Sequence, residues 1–176
     1  FEEDKKVKTL EKFLRENKRE VISLRGLAGS SLSFISSAII QSLQGSHLFI
    51  LPGKEEAAYF RNDLVSLIGK EKTLFFPASF KRPYDPDQVE NSNILFRSEV
   101  LNLLSKAKDC LAIVTYPQAL YEKVVTQQHL INNTFEINKG EKLSVDFLVQ
   151  FLYEYDFERV DFVMQPGEFS IRGGII

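Results

Sequence analysis

Four short runs of apolar residues, separated by segments with helical spacing, constrain the fold of this chain more than any other feature. They cover residues 21–24, 48–51, 73–76 and 110–114. Continuous apolar runs are typical of strands that are buried on both faces, and helical connections between strands favour a parallel sheet. The alternation over residues 21–122 therefore predicts a doubly wound α/β domain.

The connecting segments predict four helices that would cover this sheet, and a fifth helix would precede them. The predicted ranges are 2–20, 32–43, 54–68, 94–107 and 118–121. Gly69 follows the third of these ranges, at a position where glycine commonly ends a helix. Residues 77–93 contain Pro77, Pro83 and Pro86 among polar residues, which predicts an exposed loop.

The pattern changes after residue 124, where a smaller module is predicted. Residues 134–138 alternate like a half-exposed strand, and residues 144–155 have helical spacing behind an N-cap serine. Residues 159–164 and 168–176 flank a Pro-Gly turn signal and predict a β-hairpin. These elements indicate the start of a small α+β fold.

Two domains are expected, covering residues 1–123 and 124–176. The chain opens on Phe1 and stops at Ile176 within an apolar run, so we expect it to be a piece of a longer protein. The second domain would then be truncated at its C-terminus.

Composition and charge exclude several classes of protein. The net charge of −2 argues against an overall basic nucleic-acid binder. One cysteine and two histidines cannot form a disulfide framework or, alone, a metal site, so neither is predicted. The longest apolar run has five residues and the first twenty residues are mostly charged, so no membrane span or signal peptide is expected. A cytoplasmic protein is predicted.

The first strand-to-helix turn has the context of a phosphate-binding P-loop, with Gly26 and Gly29 before a helix. The functional pattern is G-x-x-x-x-G-K-[ST]. Starting it at Gly26 puts Ser31 at the second glycine, Leu32 at the lysine and Ser33 at the hydroxyl position. Leucine has no charge to offer a polyphosphate, and no predicted strand ends in an acidic residue for Mg²⁺. We therefore predict a degenerate loop with a structural role and no bound cofactor; an unusual nucleotide-binding enzyme domain is the alternative.

Other residues with chemical potential favour ordinary structural roles. His47 and Cys110 each open a predicted buried strand, where a satisfied histidine and a small apolar thiol are typical. Lys81, Arg82 and Tyr84 lie in the proline-rich loop and could offer cations and a ring to nucleic acid. A DNA-binding scaffold is therefore a second alternative.

Three residues of the second module are candidate anchors of a protein interface: Arg159, Phe169 and Arg172. All three lie on the predicted hairpin, and two glycines after Arg172 leave little bulk to cover it. Arginine and aromatic side chains at solvent-facing positions often dominate binding to another protein. Ordinary residues of a sheet surface are the competing interpretation.

Several motifs together resemble a known family. They are Gly26-Leu-Ala-Gly-Ser, Phe76-Pro-Ala, Pro83-Tyr-Asp-Pro, Arg97-Ser-Glu and the closing run 159–176, which ends Phe-Ser-Ile-Arg-Gly-Gly-Ile-Ile. The whole chain resembles the N-terminal region of the bacterial transcription-repair coupling factor (Mfd) family, which is in turn similar to the first part of UvrB. The closing run is the specific part of this resemblance.

The resemblance implies a fold like the helicase-derived first domain of UvrB, followed near residue 124 by the domain on which UvrA docks. Arg159, Phe169 and Arg172 match positions implicated in that contact. Leu32 departs from the active P-loop, as coupling factors generally do. The short segment between Asp85 and the next helix leaves no room for the damage-probing hairpin of UvrB.

For the longer parent, the resemblance implies partners that this piece does not bind directly. Its other domains would bind ATP and Mg²⁺, DNA and RNA polymerase. Contacts with those domains would mask the UvrA-docking surface in the free parent.

Overall fold

The computed structural model describes residues 4–16, 21–80, 91–106, 110–132 and 134–176. Lys81, Arg82 and Tyr84, the candidate nucleic-acid contacts, lie outside the described residues, as does the Pro83-Tyr84-Asp85-Pro86 motif.

Helices and short strands alternate along the described chain. The helices are α1 (Lys5–Glu16), α2 (Ser31–Ser42), α3 (Lys54–Ile68), α4 (Asn91–Lys106), α5 (Pro117–Tyr121), α6 (Gln127–Asn132) and α7 (Val145–Glu154). The strands are β1 (His47–Ile50), β2 (Thr73–Phe76), β3 (Ala112–Thr115), β4 (Glu158–Arg159) and β5 (Glu168–Phe169). Ser144 caps α7 by accepting a hydrogen bond from Phe147 N–H, which confirms the N-cap prediction. The short helix α6 is a difference from the sequence analysis, which placed no element there.

The first three strands form a parallel sheet in the order β1-β3-β2. Leu48 of β1 and Leu74 of β2 both pair with Ile113 of the central strand. Every residue of β3 is buried, as expected for an apolar run inside a covered parallel sheet. The prediction of a parallel α/β sheet is confirmed in this coarse form.

The core lies between this sheet and the helices α3 and α4. Leu64 and Val114 are fully buried, and Phe60 of α3 lies 5.2 Å from Phe49 of β1, ring centroid to ring centroid. The guanidinium of Arg97 in α4 lies 4.1 Å from the ring centroid of Phe76 in β2. Helix α3 thus packs on β1, and α4 packs on the carboxyl end of β2.

Two predicted strands are absent from the described residues. The prediction for residues 21–24 is wrong: the segment pairs with no described strand, and Val21 is 97% exposed. A strand needs a neighbour for its backbone groups, and an apolar run alone does not supply one. The prediction for residues 134–138 is also wrong, because these residues form no strand. Phe135 instead packs its ring on Phe147 and Phe151 of α7.

The predicted β-hairpin is also wrong in its pairing. Strands β4 and β5 hold two residues each and are parallel, with Arg159 opposite Phe169. The Pro-Gly turn lies inside a longer loop, in which the Glu168 carboxylate accepts hydrogen bonds from Met164 N–H and Gln165 N–H. This loop returns the chain in the same direction, whereas a hairpin would need a tight turn directly between the strands.

Among the described helices, none is both long enough and apolar enough to cross a bilayer.

Candidate docking surface

The sequence-predicted anchors Arg159, Phe169 and Arg172 lie together in the unit formed by β4, β5 and the turn after them. Two backbone hydrogen bonds join the strands, from Glu158 N–H to the Gly167 carbonyl (2.8 Å) and from Val160 N–H to the Phe169 carbonyl (2.9 Å). Arg159 is exposed on β4. The structure therefore brings the anchors into one small unit, although the strand pairing differs from the prediction.

Phe169 is buried in this unit. Its side chain is 4% exposed, and its ring packs edge-on against Tyr153 of α7 with centroids 5.3 Å apart. The expected solvent-facing position is wrong for this residue, because α7 covers that side of β5. Phe169 thus attaches the strands to the helix.

Arg172 stands at a tight turn. Its N–H donates to the Ile175 carbonyl (3.0 Å) and its carbonyl accepts from Ile175 N–H (3.2 Å). Gly173 sits between them with a φ of +61°, a backbone conformation that glycine adopts readily. The turn leaves the arginine side chain exposed.

The guanidinium of Arg172 lies over an aromatic face. Its central carbon is 4.7 Å from the ring centroid of Phe162, and its Nη2 donates to the Asp161 carbonyl at 3.4 Å. A cation over a ring face is attracted by the ring quadrupole. Sequence analysis missed Phe162, because it lies in the loop after β4 and nothing in its spacing links it to Arg172.

The loop before β5 is held by a carboxylate. The Glu168 carboxylate accepts hydrogen bonds from Met164 N–H, which has the larger effect, and from Gln165 N–H. Both bonds favour the charged carboxylate and lower the pKa of Glu168. The loop places Phe162 and Met164 at the surface, where they are 70% and 86% exposed. Of these two side chains, Phe162 lies beside the Arg172 cation.

Phe162 and Arg172 line a shallow cleft of about 460 Å³, together with the acidic residues Asp161 and Glu168. Its lining includes Phe162, Val163, Arg172, Ile175 and Ile176. Arginine offers five N–H donors in a planar fork that fits a carboxylate. Arg172 could therefore bind an acidic side chain at a cleft with a mixed lining, in which Phe162, Val163, Ile175 and Ile176 are apolar and Asp161 and Glu168 are acidic.

The glycine loop before α2 uses its own polar groups internally. Gly26 and Gly29 have φ values of +77° and +53°. The Ser31 hydroxyl accepts from Ala28 N–H (2.8 Å) and donates to the Ala28 carbonyl (2.7 Å). A backbone N–H that would face a phosphate in a P-loop is therefore already bonded to a side chain.

The side chains of the two residues after Ser31 also make contacts within the fold. Leu32, at the lysine position, packs against the hydrophobic core. The buried Ser33 hydroxyl donates to a carboxylate oxygen of Asp63 at 2.8 Å, which links α2 to α3. In a P-loop that hydroxyl would contact Mg²⁺.

A buried charged network lies at the carboxyl end of β2. Arg97 Nη1 lies 3.4 Å from a carboxylate oxygen of Glu122 and donates to the carbonyls of Pro77 and Ala119. Burial lowers the pKa of Arg97, and the negative charge of Glu122 opposes that shift. Sequence analysis cited Arg97 only within a motif and did not identify Glu122, since nothing in their spacing links them.

His47 and Cys110 occupy structural positions. Burial lowers the pKa of His47, and its Nε2 is buried without a hydrogen-bond partner. The Cys110 thiol donates to the Ile40 carbonyl (3.3 Å), and burial raises its pKa. Among the residues that the structure describes, no group of three or more acidic, histidine or cysteine side chains is arranged to hold a metal.

Comparison with known proteins identifies relatives of this chain. Residues 135–176 match the family described as "UvrB interaction domain". The chain is 28% identical to the transcription-repair-coupling factor of Bacillus subtilis (strain 168) over 93% of its own length and 14% of that protein. It is 26% identical to the transcription-repair-coupling factor of Rickettsia bellii (strain RML369-C), over 81% of this chain and 13% of that protein.

UvrB proteins match as well. The UvrABC system protein B of Mycobacterium bovis (strain ATCC BAA-935 / AF2122/97) is 23% identical over 95% of this chain and 25% of that protein. The chain thus spans about a seventh of the coupling factors that it matches, at 14% and 13% of their lengths. The resemblance drawn from the motifs is confirmed: over most of its length this chain is similar to one part of transcription-repair-coupling factors and UvrB proteins, and residues 135–176 match the UvrB interaction domain.

Proposed function

We propose that this chain is a non-catalytic docking module that recruits UvrA during transcription-coupled nucleotide excision repair. The observation that carries the proposal is the match of residues 135–176 to the UvrB interaction domain, because that segment holds the exposed arginines. The names of the relatives, transcription-repair-coupling factor and UvrABC system protein B, support the process.

Arg159 and Arg172 would make the polar contacts with UvrA in this proposal. Both side chains are exposed, and the cleft that Arg172 lines also holds apolar side chains that a partner could cover. Arginine is enriched among the residues that dominate binding between proteins. Phe169, being buried, would support the strands from within.

The first domain would serve as a degenerate, doubly wound P-loop fold with no bound nucleotide. Ser31 already bonds the Ala28 amide, Leu32 packs on the core and Ser33 bonds Asp63. Binding of Mg-ATP would have to break these contacts without gaining the charge of a lysine. In the longer parent, ATP, DNA and RNA polymerase would bind to other domains, and those domains would mask the UvrA-docking surface.

A titration of the 176-residue chain with UvrA tests the proposal. We expect specific binding, and Arg172→Ala should weaken it by about 1–3 kcal/mol, the range of an interface hot spot. Arg25→Ala is the matched control, since Arg25 is also exposed but lies outside the matched segment, and it should leave the affinity unchanged. Failure of the unaltered chain to bind UvrA would refute the docking function.

The two alternative functions have separate readouts. Binding of Mg-ATP that is abolished by a Gly26 substitution would favour a nucleotide-binding enzyme domain. Salt-dependent binding to duplex DNA that is unaffected by Arg172→Ala would favour a DNA-binding scaffold.

A further inference from the structure

We propose that Phe162 is a positioning residue that holds the Arg172 guanidinium ready for a carboxylate of the docking partner. The inference rests on the proposed function, because the partner's carboxylate is taken to be on UvrA. It adds a residue and a contact chemistry to the docking surface.

The Phe162 ring lies against Arg172 at the surface of the protein. The Arg172 guanidinium lies 4.7 Å from the ring centroid, yet the Phe162 side chain is 70% exposed. An aromatic ring with this exposure contributes little to a core. Its contact with Arg172 restricts a long, flexible side chain to one face of the ring.

The backbone also holds the arginine. The Asp161 carbonyl accepts from Arg172 Nη2 at 3.4 Å and from the Ser170 hydroxyl at 3.0 Å. The serine bond ties the two chain segments together, so that the carbonyl stands at a fixed place beneath the guanidinium. Ring and carbonyl together order the side chain before any partner arrives, and such preorganisation favours binding.

Arg172 has hydrogen-bonding capacity left for a partner. A guanidinium has five N–H donors, and within the described part of the chain no carboxylate forms an ion pair with Arg172. The exposed apolar residues Phe162 and Ile175, at 70% and 74%, line the same cleft as Arg172. A partner that covered them would also exclude water from the cation, which strengthens its attraction to a carboxylate.

The charge and the apolar side chains of the cleft therefore fit an acidic side chain set among apolar residues on the partner. Asp161 and Glu168 line the same cleft, but neither forms an ion pair with Arg172, so a partner carboxylate would supply the countercharge that the covered guanidinium needs. We therefore expect an acidic residue of UvrA to contact Arg172.

The first experiment needs no partner. Side-chain ¹⁵N relaxation of the Arg172 Nε–H should show an ordered guanidinium in the unaltered chain and in Phe162→Tyr. Phe162→Leu should make it clearly more mobile, while Arg25 serves as an exposed reference whose mobility stays the same. Equal Arg172 mobility in all three chains would overturn the positioning role.

The second experiment is a double-mutant cycle with UvrA. Phe162→Leu should weaken binding by about fivefold, the worth of an exposed cation–π contact, and Phe162→Tyr should retain the affinity. In the Arg172→Ala background, Phe162→Leu should cause no further loss. The same loss in both backgrounds would mean that Phe162 acts by direct contact, and would overturn the inference.

The two proposals fail in different ways. If the unaltered chain does not bind UvrA, the proposed function fails, while the relaxation measurement still decides whether Phe162 orders Arg172. If the chain binds UvrA but Arg172→Glu binds as tightly as the unaltered chain, the carboxylate contact is wrong and the docking function stands.

Discussion

Arg97 and Glu122 form a buried ion pair, with Arg97 Nη1 3.4 Å from a Glu122 carboxylate oxygen and the side chains only 8% and 16% exposed. The same carboxylate accepts from the Ser79 backbone N–H at 2.9 and 3.0 Å and from the Ser79 hydroxyl at 2.5 Å. Three separate segments, α4, the residues after β2 and the end of α5, therefore meet at one charged group. This network closes the carboxyl end of the parallel sheet.

Glu122→Ala should lower the free energy of unfolding by about 3–5 kcal/mol, because it leaves the buried Arg97 charge and the Ser79 donors without a partner. Urea unfolding followed by circular dichroism measures the change. Glu99→Ala, at an exposed position of the same helix as Arg97, should stay within about 0.5 kcal/mol of the unaltered chain. Similar losses in the two variants would contradict a specific role for the ion pair.

His47 should make stability depend on pH below its ordinary pKa of 6.5, since burial lowers the pKa of the folded state. Between the folded and unfolded pKa values the unfolded chain binds the proton more readily, so stability rises with pH there. Its contribution is thus complete above pH 6.5 and is lost as the pH falls through the folded pKa.

Urea unfolding at a series of pH values should show this slope, and His47→Gln should reduce it. His129→Gln is the control at an exposed position and should leave the slope unchanged. An identical pH dependence in His47→Gln and the unaltered chain would refute the prediction.

The loop before β5 should become less ordered at acid pH, because Glu168 holds it through hydrogen bonds to its charged carboxylate. Hydrogen bonds from Met164 N–H and Gln165 N–H lower the pKa of Glu168 below its ordinary value of 4.5. The stabilisation is therefore complete above pH 4.5 and is lost as the pH falls through the lowered pKa. The backbone ¹H shifts of Met164 and Gln165 should titrate together with a midpoint below 4.5.

Glu168→Gln should abolish that titration. The Asn138 amide, which donates to Glu141 in another turn, should continue to titrate in the same variant and so provides an internal control. Persistence of the Met164 titration in Glu168→Gln would show that another group controls the loop.

Leu32→Lys restores the charge of a P-loop lysine, but we expect it to lower stability by about 1–2 kcal/mol, because Leu32 packs on the core. It should not create Mg-ATP binding, since Ser33 remains bonded to Asp63 and Ser31 to Ala28. Calorimetric titration and urea unfolding measure the two effects. The control Leu48→Lys, at a 56% exposed strand position, should leave stability nearly unchanged. Mg-ATP binding by Leu32→Lys would contradict the interpretation that this loop no longer binds nucleotide.

Short sequence patterns predicted the strands of the parallel sheet and the N-cap of α7. The apolar runs at 48–51, 73–76 and 110–114 became the three strands of the parallel sheet, shifted by at most two residues at either end. The N-cap of α7 was likewise readable, because a serine before an apolar helical stripe has its hydrogen-bond partner three residues away. In these cases the partner or the burial period is encoded within a few neighbouring residues.

The closing motif also carried the resemblance to coupling factors and UvrB proteins, and with it Arg172 as a candidate contact. That inference depended on a run of specific residues from 159 to 176 and on no knowledge of their pairing. The motif did not show that Phe169 is buried or that Phe162 lies under the guanidinium.

The sequence by itself determined which segments are apolar, which are helical and which motif closes the chain. Only the tertiary structure decided that residues 21–24 have no strand partner, that β4 and β5 run parallel, and that Arg97 meets Glu122. The physical reason is that an apolar pattern records which side chains avoid water, whereas strand pairing, ring stacking and buried ion pairs depend on which distant segment arrives beside them.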